Sequence, residues 1–168
     1  MAAKPAPPLR RFRQGDITGV VVREIRKFSD ERGWLAEIFR NDELTEDMRP
    51  MMAYLSSTEP GATRGPHAHK NQADLFFFGG PSDFKLRLWD ERKGSETFGT
   101  MATFIAGETN PLFVLIPSGV VHAYRNIGNV AGFTLNCPNR LYKGEGRAAE
   151  VDELRYEDDP ASPYLMDD

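Results

Sequence analysis

Residues 61–74 read Gly-Ala-Thr-Arg-Gly-Pro-His-Ala-His-Lys-Asn-Gln-Ala-Asp, and residues 117–126 read Pro-Ser-Gly-Val-Val-His-Ala-Tyr-Arg-Asn. These two motifs contain all three histidines of the chain. Residues two apart in a strand point to the same face, so a strand would project His67 and His69 into one cavity. The Pro-x-Gly turn redirects the chain just before His122. The pattern therefore predicts a barrel whose interior is lined with imidazoles.

Short strands explain the rest of the sequence pattern. Fifteen glycines and twelve prolines interrupt the chain, and many short strands separated by turns are typical of an antiparallel sandwich or barrel. We expect an all-β domain over residues 15–165 with one or two short helices, preceded by a flexible Pro/Ala leader over residues 1–14. The predicted strands are 19–25, 34–39, 52–56, 74–78, 84–89, 100–105, 112–116, 122–126 and 132–135, and the predicted helix is 42–48.

Composition excludes several classes of protein. The net charge of −4 argues against nucleic acid as the main partner, since such proteins carry basic stripes. The absence of a run of 18 apolar residues argues against a membrane partner. The first residues lack the apolar core of a signal peptide. A single cysteine, Cys137, excludes a disulfide within the chain and is expected to be buried and inert. We expect a cytoplasmic protein.

The histidines admit three interpretations. His67, His69 and His122 with Asp74 as fourth ligand would suit Zn²⁺, Fe²⁺, Mn²⁺ or Ni²⁺, and the neutral amide of Gln72 is a weaker ligand candidate. Without metal, the same histidines can act as a general base and as hydrogen-bonding groups for a substrate. They can also form a hydrogen-bonded polar core without catalytic use.

Arginines and tyrosines near the motifs are further candidates. Arg32 can clamp a phosphate through two hydrogen bonds, or it can be a solvated residue of a hairpin. Arg64 is a candidate anion contact beside the cavity, and Arg92 is either a second phosphate contact or a charge in a turn. The aromatic hydroxyls near these segments more often serve packing than acid catalysis; they belong to Tyr54, Tyr124 and Tyr142.

Beyond these motifs, the chain from Gly15 to Pro163 resembles the dTDP-4-dehydrorhamnose 3,5-epimerase family of the cupin superfamily. The segments that carry the resemblance are Asp30-Glu31-Arg32-Gly33 with Glu37, Arg64-Gly65-x-His67, Asp90-x-Arg92-x-x-Ser95, Ile116-Pro117-x-Gly119-x-x-His122-Ala123 and Asp158-Asp159-Pro160.

The resemblance implies a cupin-type jelly-roll barrel, a homodimer that shares strands, a dTDP-linked 4-keto-6-deoxyhexose as substrate and no cofactor. The implied chemistry is proton abstraction beside the keto group. By motif, His67 matches the base and His122 a second active-site histidine. The implied substrate-binding residues are Arg32 and Glu37 at the nucleotide and Arg64 and Arg92 at the phosphates.

The chain also departs from the family pattern. Asp74 stands where the family has an active-site lysine, Leu135 stands where it has a catalytic tyrosine, and His69 is an additional imidazole. We therefore expect Tyr142 or Tyr124 to replace the missing acid, with Tyr124 and Asn126 among the substrate contacts. The alternatives are a metal-dependent cupin acting on another small polar substrate and a non-catalytic sugar-binding module.

Overall fold

The computed structural model of the protein describes residues 12–167, so most of the predicted leader, residues 1–11, lies outside the described residues. The strands within this range are β1 (Arg13–Gln14), β2 (Val21–Glu24), β3 (Lys27–Asp30), β4 (Gly33–Ala36), β5 (Tyr54–Thr58), β6 (Thr63–Ala68), β7 (Asp74–Phe78), β8 (Asp83–Asp90), β9 (Thr100–Gly107), β10 (Leu112–Ile116), β11 (Val120–Asn126), β12 (Gly132–Asn136) and β13 (Leu154–Arg155). Three single 3₁₀ turns, Asn41–Glu43, Glu46–Met48 and Glu145–Arg147, are the helical elements of residues 12–167.

The strands form two facing sheets and a separate hairpin. One sheet has the order β1-β9-β8-β11-β6-β13, and the other has the order β2-β10-β7-β12-β5. β3 and β4 pair only with each other. β1 is parallel to β9, whereas the other pairs are antiparallel. The prediction of an all-β antiparallel fold is confirmed.

The main core lies between the two sheets. Alternate residues of β8 point inward, namely Phe84, Leu86 and Leu88, and all three are fully buried. They meet Phe78 and Val114 from the opposite sheet. This packing removes the two inner faces from water, and each buried side chain of this size contributes about 1.5–3 kcal/mol.

The prediction was accurate for the buried strands and weaker at the edges. β7 and β10 have the predicted bounds, and the continuous burial of Leu112–Ile116 agrees with its apolar sequence. The predicted helix 42–48 is wrong, because this stretch contains two 3₁₀ turns separated by extended residues. Arg13–Gln14, assigned to the leader, instead pairs with β9. No helix among residues 12–167 is long and apolar enough to cross a membrane.

Candidate active site between the two sheets

A bulge in β6 turns two predicted site residues toward the same cavity. His67 lies opposite His122 on β11, and Arg64 lies opposite Tyr124, so four residues of β6 span three residues of β11. In a regular strand, residues three apart point to opposite faces. The extra residue of the bulge reverses this alternation, and Arg64 and His67 therefore both line the cavity.

Gly65 makes this bulge feasible. Its φ is +77°, a left-handed conformation that costs little only for glycine. A Cβ atom at this position would lie 2.6 Å from the carbonyl oxygen of His122 and 3.0 Å from Nδ1 of His67. The close approach of β6 to β11 at the histidines thus depends on the missing side chain.

His69 lies one residue beyond the end of β6, and it lines the same cavity as His67. Its ring is held from outside the barrel, since Nδ1 contacts the backbone carbonyl of Asp152. The carboxylate of Asp152 accepts hydrogen bonds of 2.9–3.0 Å from the backbone N–H groups of residues 70–72. Asp152 therefore fixes both the turn after His69 and the orientation of its imidazole.

Asp74 brings a carboxylate from the opposite sheet into the histidine cluster. Its Oδ2 lies 3.2 Å from Nε2 of His69 and 3.3 Å from Nε2 of His122. Burial alone would raise the pKa of Asp74, but the contacts with His122 and His69 outweigh it and hold the pKa well below its usual value. Burial likewise opposes the charged form of His69, yet the same contact raises its pKa. The cluster therefore centres on an ionised, fully buried carboxylate.

His67 completes the cluster. Its ring centroid lies 4.4 Å from that of His122, and one ligand atom from each of His67, His69, Asp74 and His122 lies within 4.8 Å of all the others. Burial, followed by the proximity of His122, lowers the pKa of His67 to about 2. His67 is therefore neutral, which is the form required of a proton acceptor or a metal ligand.

His67 and His69 form part of the wall of a cavity of about 1370 Å³, whereas His122 and Asp74 are fully buried and are not part of that wall. Tyr124, Tyr142 and Arg64 line this cavity with His67 and His69. The hydroxyl of Tyr124 lies 3.0 Å from the hydroxyl of Thr134, and burial raises the pKa of Tyr124. Tyr142 is 53% exposed, on a wall outside the sheets. The structure thus gathers His67, His69, Arg64 and both candidate acids around one space.

Asn136 is a polar residue of this site that was not predicted as functional. Nδ2 of Asn136 donates hydrogen bonds of 2.9 Å to the hydroxyl of Tyr54 and to Oδ1 of Asp74. Burial, and then the charge of Asp74, raise the pKa of Tyr54 to about 12. The sequence offered one indication of this site, because Asn136 is a polar residue two positions after Thr134 and therefore lies on the same inward face of β12. The side-chain amide of Gln72 also donates a hydrogen bond of 2.9 Å to Asp74 Oδ1. The nitrogen of this amide, and not its oxygen, therefore faces the carboxylate.

Two predicted substrate contacts are held in internal hydrogen bonds. Arg92 binds the carboxylate of Asp90 at 2.9 Å through two nitrogens, and its side chain does not line the cavity. Asn126 is fully buried. Its Nδ2 donates to the carbonyls of Thr58 and Val130 at 2.8 Å. Both side chains are therefore engaged in hydrogen bonds within the fold, and neither lines the cavity.

The other two predicted nucleotide contacts lie away from the cavity of their own chain. Arg32 is at the tip of the β3–β4 hairpin, paired with Asp30, and its side chain is 84% exposed. Glu37 follows β4 and lies 3.9 Å from Arg40. Neither side chain contributes to the cavity wall. Within one chain the structure does not bring Arg32 and Glu37 to the histidines.

An antiparallel jelly roll with a polar, histidine-lined opening between its sheets defines the cupin class of barrels. The model of the dTDP-4-dehydrorhamnose 3,5-epimerase family matches residues 14–159. The chain belongs to this family. The predictions of a cupin-type fold and of an epimerase-type isomerase are thereby confirmed.

Individual relatives agree with this assignment. The spore coat polysaccharide biosynthesis protein SpsL of Bacillus subtilis (strain 168) is 41% identical over 114 residues, which cover 67% of this chain and 73% of that protein. The probable low-salt glycan biosynthesis epimerase Agl13 of Haloferax volcanii is 33% identical over 130 residues, 77% of this chain and 83% of that protein. A crystal structure of a dTDP sugar isomerase from Desulfovibrio desulfuricans G20 superposes with a TM-score of 0.75 at 22% identity, covering 89% and 91% of the two chains. At that identity the superposition supports the fold.

Proposed function

We propose that this protein epimerises a dTDP-linked 4-keto-6-deoxyhexose, or isomerises a related keto-sugar nucleotide, by abstracting a proton beside the carbonyl. The observation that carries this proposal is the convergence of His67 and Arg64 in one cavity. Removing a proton beside a ketone needs a base, and the enolate that forms needs a hydrogen-bond donor or positive charge near its oxygen. A cytoplasmic location remains a prediction.

Each group in the cavity has a role that its environment favours. His67 is the proposed base, and the ring of the fully buried His122 lies next to it. Arg64 donates to the Thr58 hydroxyl at 2.9 Å and to the Ser57 carbonyl at 2.7 Å through two of its nitrogens, which leaves Nη1 for an anion or the keto oxygen. Tyr142 is the predicted acid that returns the proton.

Tyr54 is a second candidate for the acid. Its hydroxyl accepts a hydrogen bond from Asn136, so its own proton remains available for a ligand. Asn136 links it to Asp74, whereas Tyr142 has no side-chain hydrogen bond to the cluster among residues 12–167. A pKa of about 12 keeps Tyr54 protonated at neutral pH, as an acid requires.

Proton exchange into the substrate tests this function. In D₂O, the wild-type protein should introduce deuterium at C3 or C5 of dTDP-4-keto-6-deoxyglucose, as followed by NMR. His67→Gln should slow this exchange by about 10²–10⁴-fold, the usual contribution of a general base, while calorimetry with dTDP still detects binding. Binding by the wild-type protein without any exchange would contradict the proposal and favour the non-catalytic sugar-binding module.

A metal-dependent site is a second candidate, favoured by the hydrogen bonding of two imidazoles. Nδ1 of His122 lies 3.1 Å from the carbonyl of Val120, and Nδ1 of His69 contacts the carbonyl of Asp152. A carbonyl only accepts, so in both rings Nδ1 carries the hydrogen and Nε2 of the neutral ring has a lone pair. Metal-binding histidines usually donate their other N–H to a carbonyl in this way.

The Nε2 lone pair of His122 faces the carboxylate of Asp74, whereas Nε2 of His69 lies 3.2 Å from that carboxylate and also 3.3 Å from the amide nitrogen of Gln72, which can donate to it. Asp74 Oδ2 and His122 Nε2 are buried without a hydrogen-bond partner, although they lie 3.3 Å apart. Acceptors that face each other need a cation between them, either a proton or a metal ion. His67, His69, His122 and Asp74 form a donor set suited to Zn²⁺, Fe²⁺, Mn²⁺ or Ni²⁺. A bound divalent ion would polarise a substrate oxygen as a Lewis acid.

Measuring the metal content of the protein distinguishes a bound metal ion from a proton as the cation between His122 and Asp74. After purification without chelator and reloading, a metal site predicts about one ion per chain by elemental analysis, and Co²⁺ loading should give visible absorption bands. Asp74→Asn keeps the shape of the side chain and should abolish both signals. Exchange activity at full rate with negligible metal would reject the metal and leave an imidazolium–carboxylate pair.

We also propose a homodimer in which the β3–β4 hairpin reaches the partner's cavity. Support comes from the apolar exposure of the hairpin, where Phe28 and Trp34 are each 52% and Leu35 is 68% exposed. Such a surface is unusual unless it is covered. Sedimentation should therefore detect a dimer.

Mixing two inactive variants tests whether subunits share the site. If Arg32 acts in the partner's cavity, a heterodimer of Arg32→Ala and His67→Gln contains one intact site, and random mixing should restore about a quarter of the wild-type activity. Absence of recovery in mixed dimers would exclude the shared site.

A further inference from the structure

The segment 141–151, here called the flap, forms an outer wall of the cavity. Both of its ends are fastened to the turn that follows His69. Before the flap, Arg140 Nε donates a hydrogen bond of 2.9 Å to the backbone carbonyl of Asn71. After the flap, the carboxylate of Asp152 binds the N–H groups of residues 70–72. The flap is therefore a compact loop with adjacent ends, a type of segment that frequently has a function.

Two residues of the flap have an unusual backbone conformation. Lys143 and Arg147 have φ values of +58° and +61°, and they are the only non-glycine residues with positive φ among residues 12–167. This conformation is uncommon for such side chains, and where the surrounding structure maintains it the site is often a ligand clamp. Both residues are cations, and both line the cavity that contains the histidines.

Both cations are also available to a ligand. Within the described part of the chain neither one forms an ion pair with a carboxylate, whereas Arg92 is held by a buried aspartate. Lys143 Nζ lies 5.8 Å from the centre of the Tyr142 ring, a weak contact at this distance. The cavity, at about 1370 Å³, exceeds the roughly 300–1,000 Å³ of an ordinary small-molecule site, which leaves room for an anion beside the sugar.

We propose that Lys143 and Arg147 bind the diphosphate of the sugar nucleotide when the sugar lies against the histidines. This inference rests on the proposed function. A guanidinium binds two phosphate oxygens at once, and an ammonium acts as a compact point charge. Both cations line the cavity from a wall that is not part of either sheet.

Asparagine substitutions test the two charges without disturbing the backbone, because asparagine tolerates the left-handed region. Lys143→Asn and Arg147→Asn should each weaken dTDP binding about tenfold by calorimetry, which corresponds to one charge-assisted hydrogen bond. The double variant should lose the contributions of both cations, and its affinity for dTDP should depend less on salt concentration than that of the wild-type protein. Thymidine, which has no phosphate, should bind the wild-type protein and the double variant equally. Lys93→Asn is the matched control, since Lys93 lies outside the cavity wall.

Inorganic pyrophosphate separates a failure of this inference from a failure of the proposed function. If dTDP does not bind the wild-type protein, the proposed substrate is wrong, but pyrophosphate binding that the double variant weakens at least tenfold would still support the anion site. The inference would be overturned if the double variant bound dTDP as tightly as the wild-type protein does. If dTDP binds neither protein, equal affinity of the two proteins for pyrophosphate would overturn it. Failure of the wild-type protein to bind either compound would also overturn it.

Discussion

Replacing Gly65 by alanine should separate the two strands that hold the paired histidines. The new Cβ would lie 2.6 Å from the carbonyl oxygen of His122, a backbone atom that can move only with β11. The left-handed φ of +77° adds about 1–2 kcal/mol for a non-glycine residue, and overpacking typically adds about 1–3 kcal/mol. We expect Gly65→Ala to lower the free energy of unfolding by about 2–5 kcal/mol.

Gly61→Ala supplies a matched control for the backbone conformation. Gly61 has a φ of +75°, but a Cβ atom added there would have no heavy atom within 4 Å beyond its chain neighbours. This variant should therefore show only the conformational cost of about 1–2 kcal/mol. Urea unfolding of both variants with linear extrapolation measures the difference. Equal destabilisation would refute the argument that close approach of β6 to β11 requires glycine.

The same pair of variants separates stability from function. Gly65→Ala changes the bulge that turns Arg64 and His67 toward one cavity, so deuterium exchange should fall even under conditions where the variant is folded. A displacement of about 1 Å at reacting groups can cost roughly 10²-fold in rate. Gly61→Ala leaves these residues in place and should retain the wild-type exchange rate. Full activity in folded Gly65→Ala would contradict a catalytic role for this arrangement.

Other substitutions test the surroundings of the site. Tyr54→Phe should slow deuterium exchange by about 10²-fold or more, and Tyr142→Phe should slow it less, because Asn136 links Tyr54 but not Tyr142 to the cluster. A larger loss of exchange rate in Tyr142→Phe than in Tyr54→Phe, measured by NMR, would favour Tyr142 as the acid. Asp90→Asn should destabilise the fold by about 3–5 kcal/mol at pH 7 by leaving buried donors unpaired. The hydrogen bonds that Asp90 accepts lower its pKa below 3.8, although burial acts in the opposite direction. The ionised carboxylate therefore stabilises the wild-type protein fully above pH 3.8, and this stabilisation is lost as the pH falls further. In urea titrations at acid pH, a growing difference in unfolding free energy between the wild-type protein and Asp90→Asn would contradict this sign. Burial raises the pKa of Cys137, so its thiol should react with iodoacetamide at pH 8 more slowly than free cysteine, and equal rates would mean an accessible thiol.

The sequence predicts best where burial and periodicity act together. Leu112–Ile116 is apolar at every position and is buried on both faces, and Asp74–Phe78 begins and ends where predicted. Thr63–Ala68 was not predicted as a strand with these bounds, because glycine and proline interrupt it. The bulge that accommodates them is also what turns Arg64 inward. The residue types were informative here, but their direction depended on the register against β11.

Contacts between distant segments account for most of what the sequence did not predict. Asp152 holds the turn after His69 from about 80 positions away, and no local pattern marks it. Asn126 looked like part of the second motif, but its side-chain amide donates to backbone carbonyls of other segments, whose positions a sequence does not reveal. Polar residues of this kind become interpretable only when each buried hydrogen-bonding group is assigned a partner.

The central carboxylate determines which chemistry the cavity can support. Asp74 is buried and ionised at the position where the family resemblance implies a lysine, so the site has exchanged a positive charge for a negative one. An enolate formed beside it would be destabilised unless a cation offsets both charges. Arg64 is a cation that the sheet itself directs into the cavity, and its position depends on the bulge. A proton or a metal ion between Nε2 of His122 and Oδ2 of Asp74 would supply a second positive charge beside this carboxylate, which is why metal content and proton exchange have to be measured on the same preparation.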